Sequence, residues 1–383
     1  MTTQTIRKTF TRDFILCCFA QLAFAFVFSS LIPTLPIYLS RLGSNETEIG
    51  VLIGVFAVSS LVLRSFVGKA LLTIPEKTFM IVGALLFVLT SVAYLWMPPF
   101  WPLLVVRVLQ GIAFAFFQTA SFTLVANISS ESHRGQSFTY FFLANNTSGA
   151  IGPFLGMFFI NRFSFTLLFL ACSGLSLAAL FISHRLGRRQ VAPPQDSSVE
   201  DGFFLTRKAL PPSIVSSFAL FTWGALGAFF PLYAIQHGVT NPGFFFTAIA
   251  IMLILCRSLG GRILDRHGKD GVILPSLFAY IVSMVILAFS RTLPMFILVA
   301  VIYGIGHAFL IPALTVYALD RAGSSPGPAM GTLMAISDLG ICLGPVIMGI
   351  IVHSSSYPIM FLCLALINLI SVNYFYFFVR KKG

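Results

Sequence analysis

Charge is what this chain has least of. Lys, Arg, Asp and Glu make up 9% of its 383 residues, and 57% are hydrophobic. Soluble domains carry roughly 25% charge, so an ordinary water-soluble globule is excluded. Acids are scarcer still, 12 against 24 Lys and Arg. The six cysteines, Cys17, Cys18, Cys172, Cys256, Cys342 and Cys363, lie in apolar runs with no C-x-x-C and no His/Cys cluster. They read as small core residues, neither disulfides nor metal ligands. There is no G-x-x-x-x-G-K-[ST], so ATP hydrolysis is not expected and no cofactor is implied.

Long apolar runs take the place of charge. Twelve recur, at about 14–39, 48–72, 78–97, 100–127, 136–161, 164–185, 209–236, 243–264, 271–290, 293–319, 328–353 and 356–379. Each is long enough to cross roughly 30 Å of hydrocarbon. Backbone groups find no water there, so the spans are expected to be helices. Weak dyad alternation argues against a barrel. At about 26 residues the first run exceeds a signal-peptide core, so it is expected to be retained.

The net charge of +12 resembles a nucleic-acid footprint until its placement is read. With the N-terminus inside, 18 of the 24 Lys and Arg fall in cytoplasmic segments (7–12, 69–77, 134, 185–208, 262–269, 321 and 380–382). Only Arg41, Arg162 and Arg291 fall outside, and Arg64, Arg107 and Arg257 lie within spans. This bias puts both termini in the cytoplasm and makes anionic lipid headgroups the partner of the basic loops, with no nucleic acid.

The spans form two sets of six. "PIYLSRLG" (36–43) is answered by "PLYAIQHG" (231–238), "VGKALLTIPEK" (67–77) by "GGRILDRHGKD" (260–270), and "QGIAFAF" (110–116) by "YGIGHAF" (303–309). The offset is 231 − 36 = 195 in the first helices, 303 − 110 = 193 in the middle ones, and 344 − 152 = 192 at "GPFLG" and "GPVIMG". Both sets start on the same side, so the repeats are parallel. Residues 186–208, with Pro-Pro, Ser-Ser and mixed charge, form a linker between bundles 1–185 and 209–383.

At these motifs the chain resembles the major facilitator superfamily over essentially its full length, most closely the twelve-span, drug-efflux-like proton antiporters. "GRILDRHGK" (261–269) is similar to the loop motif after a half's second helix. "RVLQG" (107–111) is similar to the fourth-helix motif, and "GAIGPFLG" (149–156) to the fifth-helix motif of exporters. The resemblance implies an all-α membrane protein with two six-helix pseudo-repeats, alternating access around a central cavity, and a monomer. It also implies that Gly68, Gly261, Asp265, Arg266 and Gly268 gate the cytoplasmic side.

Asp338 is the single acid inside a span, some ten residues and roughly 15 Å into the eleventh helix. A charge there costs at least ~2.5–3.5 kcal/mol unless paired or wetted, which marks a coupling or cation-binding group; a hydrogen-bonded structural aspartate is the alternative. Its repeat mate is Asn146. Arg107, near mid-depth with Gln110, Gly111, Phe114 and Gln118 at helical spacing, has a cavity role by resemblance or else snorkels. His307, where the other half has Phe114, is a proton carrier or a structural histidine. Arg64 and Arg257, one turn before the loop motifs, are expected to snorkel or gate. Gly149, Gly152, Pro153, Gly156, Gly344 and Pro345 permit close helix approach and bending. Of 42 phenylalanines most are expected to face lipid; Phe114, Phe117, Phe229 and Phe230, with Asn145 and Asn146, are candidates for the cavity.

The expected function is proton-coupled export of a small amphipathic molecule (a drug-like compound, a siderophore or other metabolite, or a lysolipid) across a bacterial inner membrane. A proton-coupled importer is the alternative, and a non-transporting sensor a third. The first loop has Leu72 and Thr73 where the second has Asp265 and Arg266. One cytoplasmic lock is therefore expected to be missing, with the resting population tilted inward.

Overall fold

A computed structural model describes residues 11–129, 134–187, 207–322 and 326–380. Every regular element among them is helical. The helices are α1 (Arg12–Arg41), α2 (Glu46–Ala70), α3 (Glu76–Ala93), α4 (Trp101–Ile128), α5 (Arg134–Arg162), α6 (Phe165–His184) and α7 (Leu210–Gln236). After them comes a run Gly243–Phe289, broken at Gly268 (φ 69°, ψ 170°) into α8 (243–267) and α9 (268–289). Then follow α10 (Leu293–Ala322), α11 (Pro326–Ser354) and α12 (Tyr357–Tyr374), the last running into a π-helical turn, Phe375–Val379. Ten helices among the described residues are long and apolar enough to span a membrane. The protein is an all-α integral membrane protein with two repeats of six helices.

The sharpest difference from the sequence reading lies between α8 and α9. A loop is expected over residues 265–270, yet helical hydrogen bonding runs to either side of Gly268. A single residue in the left-handed region, open to glycine at no steric cost, breaks the helix there. The corresponding turn in the first repeat uses Pro75 (φ −59°, ψ 141°), which forces the preceding residue out of α geometry.

The described chain groups into two compact units. Unit 1 holds Met1–Ile32 and Val58–Val199; unit 2 holds Pro33–Ala57 and Glu200–Gly383. In unit 1, α4 packs on α3 and α3 on α6; in unit 2, α11 packs on α7, and α10 and α12 on the α8–α9 run. The C-terminal part of α1 and the start of α2 thus belong with unit 2. There the backbone of α11 comes close to Gly50 and Gly54, where an added Cβ would lie 2.3 Å from the Pro345 carbonyl oxygen and 2.7 Å from that of Cys342.

The repeat visible in the sequence recurs in the packing. Both α1 and α7 end on a left-handed glycine, Gly43 (φ 87°) and Gly238 (φ 77°). In each case the next amide bonds five residues back, Ser44 N to Leu39 O and Val239 N to Ala234 O, which is the Schellman stop. With the offsets given above, three side-chain contacts also recur. Gln21–Asn145 in unit 1 answers Ser216–Ser337 in unit 2. Phe28–Phe114 answers Trp223–His307. Glu76–Asn127 answers Lys269–Asp320. Positions match while chemistry differs, and those differences locate the candidate site.

Candidate functional site

In unit 1 the interior of α1, α4 and α5 carries a polar knot. Gln21 Nε2 donates to Gln118 Oε1 (3.0 Å) and Asn145 Oδ1 (3.3 Å), and Ser121 Oγ donates to Gln21 Oε1 (3.1 Å). Gln21 and Ser121 are fully buried. On α4, Phe114, Gln118 and Ser121 fall at i, i+4 and i+7, so one stripe presents them all. Toward the C-terminus of α1 and the N-terminus of α4 the interior turns aromatic: Phe24 stacks on Phe117 (4.0 Å) and meets Phe87 (4.5 Å), and Phe28 meets Phe114 (4.9 Å). Gln21 was missed in the sequence because nothing in its spacing signals a partner some hundred residues away; its only mark is an amide inside an apolar run.

Arg64 does not snorkel. Its guanidinium carbon lies 6.0 Å from the Phe114 ring centroid. A helical Cα–Cβ bond tilts toward the helix N-terminus, and on α2 that direction leads away from the nearer end and into the layer. A cation–π contact returns about 0.5–2 kcal/mol against the ~2.5–3.5 kcal/mol cost of the intramembrane charge.

Arg107, 6% exposed, lies two turns before Phe114 on the same stripe of α4. Its Nη1 donates to Gln110 Oε1 (2.6 Å), which also accepts from Tyr94 OH (2.8 Å) at the end of α3. A charge-assisted bond of this kind contributes about 1.5–3 kcal/mol, enough to hold both side chains inside the bundle. Gln110 is therefore a partner of Arg107. Asn146 is half-buried beside Asn145, which makes the knot contact.

In unit 2 the place of the Phe28–Phe114 pair is titratable. His307, 9% exposed on α10, meets the Trp223 and Tyr303 rings (5.7 and 5.8 Å), which also meet each other (6.4 Å), and its Nδ1 shares a short hydrogen bond with Tyr280 OH on α9. Tyr303, fully buried, packs its ring 4.5 Å from that of Tyr280. Asp338 is half-buried midway along α11, twelve residues or about 18 Å from Pro326. Its neighbour Ser337 donates to Ser216 Oγ on α7 (2.7 Å). Phe229 and Phe230 are enclosed: Phe229 meets the Cβ position of Gly349, and Phe230 stacks on Phe245 (3.8 Å).

The glycines divide by use. A Cβ on Gly152 would meet Ser29 at 2.7 Å, on Gly156 the Ser30 carbonyl at 2.5 Å, and on Gly344 the Phe221 carbonyl at 2.3 Å. Pro345 deprives the Ile341 carbonyl of its helical donor, and Gly224 packs on that carbonyl. Gly68 and Gly149 have nothing within 4 Å, so neither is a packing point. Arg257, Gly261, Asp265 and Arg266 lie outside the residues whose side chains are described. Among the described residues no three His, Cys, Asp or Glu side chains gather as a metal site would need.

A family model described as Major Facilitator Superfamily matches residues 17–325 and 243–383. The staphylopine export protein of Staphylococcus aureus is 24% identical over 332 residues, covering 80% of this chain and 81% of that protein. The quinolone resistance protein NorA of the same species is 23% identical over 336 residues, covering 83% and 84%. Among solved structures, the nucleoside transporter NupG superposes with a TM-score of 0.80 at 14% identity over 96% of this chain and 98% of its own. A POT family transporter bound to a thioalcohol-conjugated peptide does so with a TM-score of 0.77 at 13% identity over 97% and 96%. At such identities these two likenesses carry the fold alone.

Proposed function

This chain belongs to the Major Facilitator Superfamily, and on that footing we propose that it is a proton-coupled exporter of a small amphipathic molecule, working by alternating access. The observation that carries the proposal is Asp338, a carboxylate midway along α11 whose repeat mate is the amide Asn146. A group kept at that depth at such cost has a use that a neutral side chain would not serve. Protonation releases it from the charge penalty, so a cycle of loading and unloading protons can drive the conformational change. His307, in its aromatic cage, is a second proton group, and Arg107 tunes the first unit's interior.

The direction of transport is proposed from the export and resistance named for the two staphylococcal relatives, together with the glycine-proline elements Gly152-Pro153 and Gly344-Pro345. Bundles 1–185 and 209–383 move about the linker 186–208. The chain acts as a monomer in a bacterial inner membrane, both termini in the cytoplasm, a reading that the placement of the basic segments supports. Asp265 and Arg266 lock the cytoplasmic side.

The test uses purified protein in liposomes with an acidic lumen and an internal pH dye, against a panel of amphipathic cations, acids, metabolites and lysolipids. The expected result is lumenal alkalinisation driven by one compound and lost in Asp338→Asn. Coupled flux that persists in Asp338→Asn removes that residue from the role. No compound-dependent proton movement across the panel, with binding intact, overturns antiport.

A further inference from the structure

The substrate's chemistry can be read from unit 1, where Arg64, Phe28 and Phe114 converge from α2, α1 and α4. The Arg64 Cα lies six residues from Ala70, about 9 Å from the end of α2, and its side chain leads inward. Phe114 lies thirteen residues from Trp101 and fourteen from Ile128, at the middle of α4. The guanidinium, 6.0 Å from that ring, therefore sits well inside the membrane layer. Arg64, Phe28 and Phe114 are each only half-buried, in contrast to Phe24, Phe87 and Phe117 behind them, which are fully enclosed. Toward the N-terminus of α1 and the C-terminus of α4 lie the amides of Gln21, Gln118 and Asn145. The group is thus a cation, an open aromatic face and a band of neutral hydrogen-bonding groups, on three adjoining helices.

We propose that this is a recognition site for the carboxylate of an amphipathic aryl or alkyl acid, with Arg64 taking the carboxylate and Phe28 and Phe114 the apolar body. A planar guanidinium fork matches a carboxylate in two parallel bonds, a geometry Lys cannot reproduce. The cation already lies against a ring, so a ligand bearing both an anion and an apolar face meets both at once. A cationic ligand would find Arg64 repelling it at the same ring. The inference rests on the transport function proposed above and narrows its substrate to acids or zwitterions.

The test measures binding, which needs neither protons nor flux. Protein in lipid nanodiscs is equilibrated with radiolabelled 4-phenylbutyrate or its uncharged twin, 4-phenylbutyramide, with empty nanodiscs as the blank. The expected result is about tenfold tighter binding of the acid. Arg64→Gln should bring the acid down to the amide while leaving the amide unchanged, which also shows that the variant is folded. Arg64→Lys should restore only part of the preference. Equal binding of the pair in the native protein, no binding of the acid at millimolar concentration, or a preference that survives Arg64→Gln each overturns the site. A preference without proton-coupled flux leaves the site standing and removes the antiport reading. Flux indifferent to Arg64→Gln does the reverse.

Discussion

Glu76 and Lys269 occupy one position in two repeats, and so do their partners Asn127 and Asp320. One copy closes the junction of its third and fourth helices with a neutral amide on a buried carboxylate (Asn127 Nδ2 to Glu76 Oε1, 2.6 Å); the other uses an ion pair. The chemistry should be transferable between them. Asn127→Asp alone sets two carboxylates together and should lower the apparent melting temperature in detergent by a few degrees, about 1–3 kcal/mol. Adding Glu76→Lys recreates the second repeat's pair and should recover most of that loss, a coupling of about 0.5–3 kcal/mol in the four-protein cycle. Additive losses would show that the two sites are not equivalent environments. At this scale the sequence disclosed what stands alone in an apolar run: Asp338, Arg107, His307. It did not disclose partners. Tyr94, Gln21, Tyr280 and Trp223 acquire their roles from contacts between helices, and an aromatic or amide in a span carries no mark of which neighbour it faces. For Arg64, position along the helix gave its depth and not the contact of its guanidinium with the Phe114 ring.

Helices pair here largely through missing side chains. At Gly340 an added Cβ would lie 2.1 Å from the Ser217 carbonyl oxygen on α7, a backbone atom unable to give way, whereas at Gly149 nothing lies within 4 Å. Gly340→Val should therefore separate α7 from α11 and cost about 1–3 kcal/mol or more of stability. Gly149→Ala should be neutral or stabilise by a few tenths of a kcal/mol through helix propensity. Thermal scans of the two variants in the same detergent check the contrast, and similar melting temperatures would show that α7 and α11 pack less tightly than described. Both glycines sit in similar small-residue stretches. Hydropathy yielded twelve helices, since span length is set by the bilayer, but it could not sort packing glycines from idle ones.

At the scale of the whole molecule, the loops after the second helix of the two repeats are unequal. Leu72 is exposed, and Thr73 spends its hydroxyl on the Ala70 carbonyl (3.2 Å), so neither offers a charge to a partner. Leu72→Asp is expected to restore a cytoplasmic lock and shift the population outward by about 1–3 kcal/mol, read as faster thiol labelling of single-cysteine reporters on the external side. Unchanged labelling would leave the Leu72–Thr73 sequence without a gating role.

The grouping of Pro33–Ala57 with unit 2 has a consequence for how the protein is made. Gly50 and Gly54 rest on Pro345 and Cys342, and Glu46 meets His353 (3.4 Å). Nearly three hundred residues separate them along the chain (345 − 50 = 295). At synthesis rates of about 5–20 residues per second, the second helix waits roughly 15–60 s in the bilayer before its groove is filled. During that interval the glycine face lacks its own chain's partner and is open to any small-residue helix nearby.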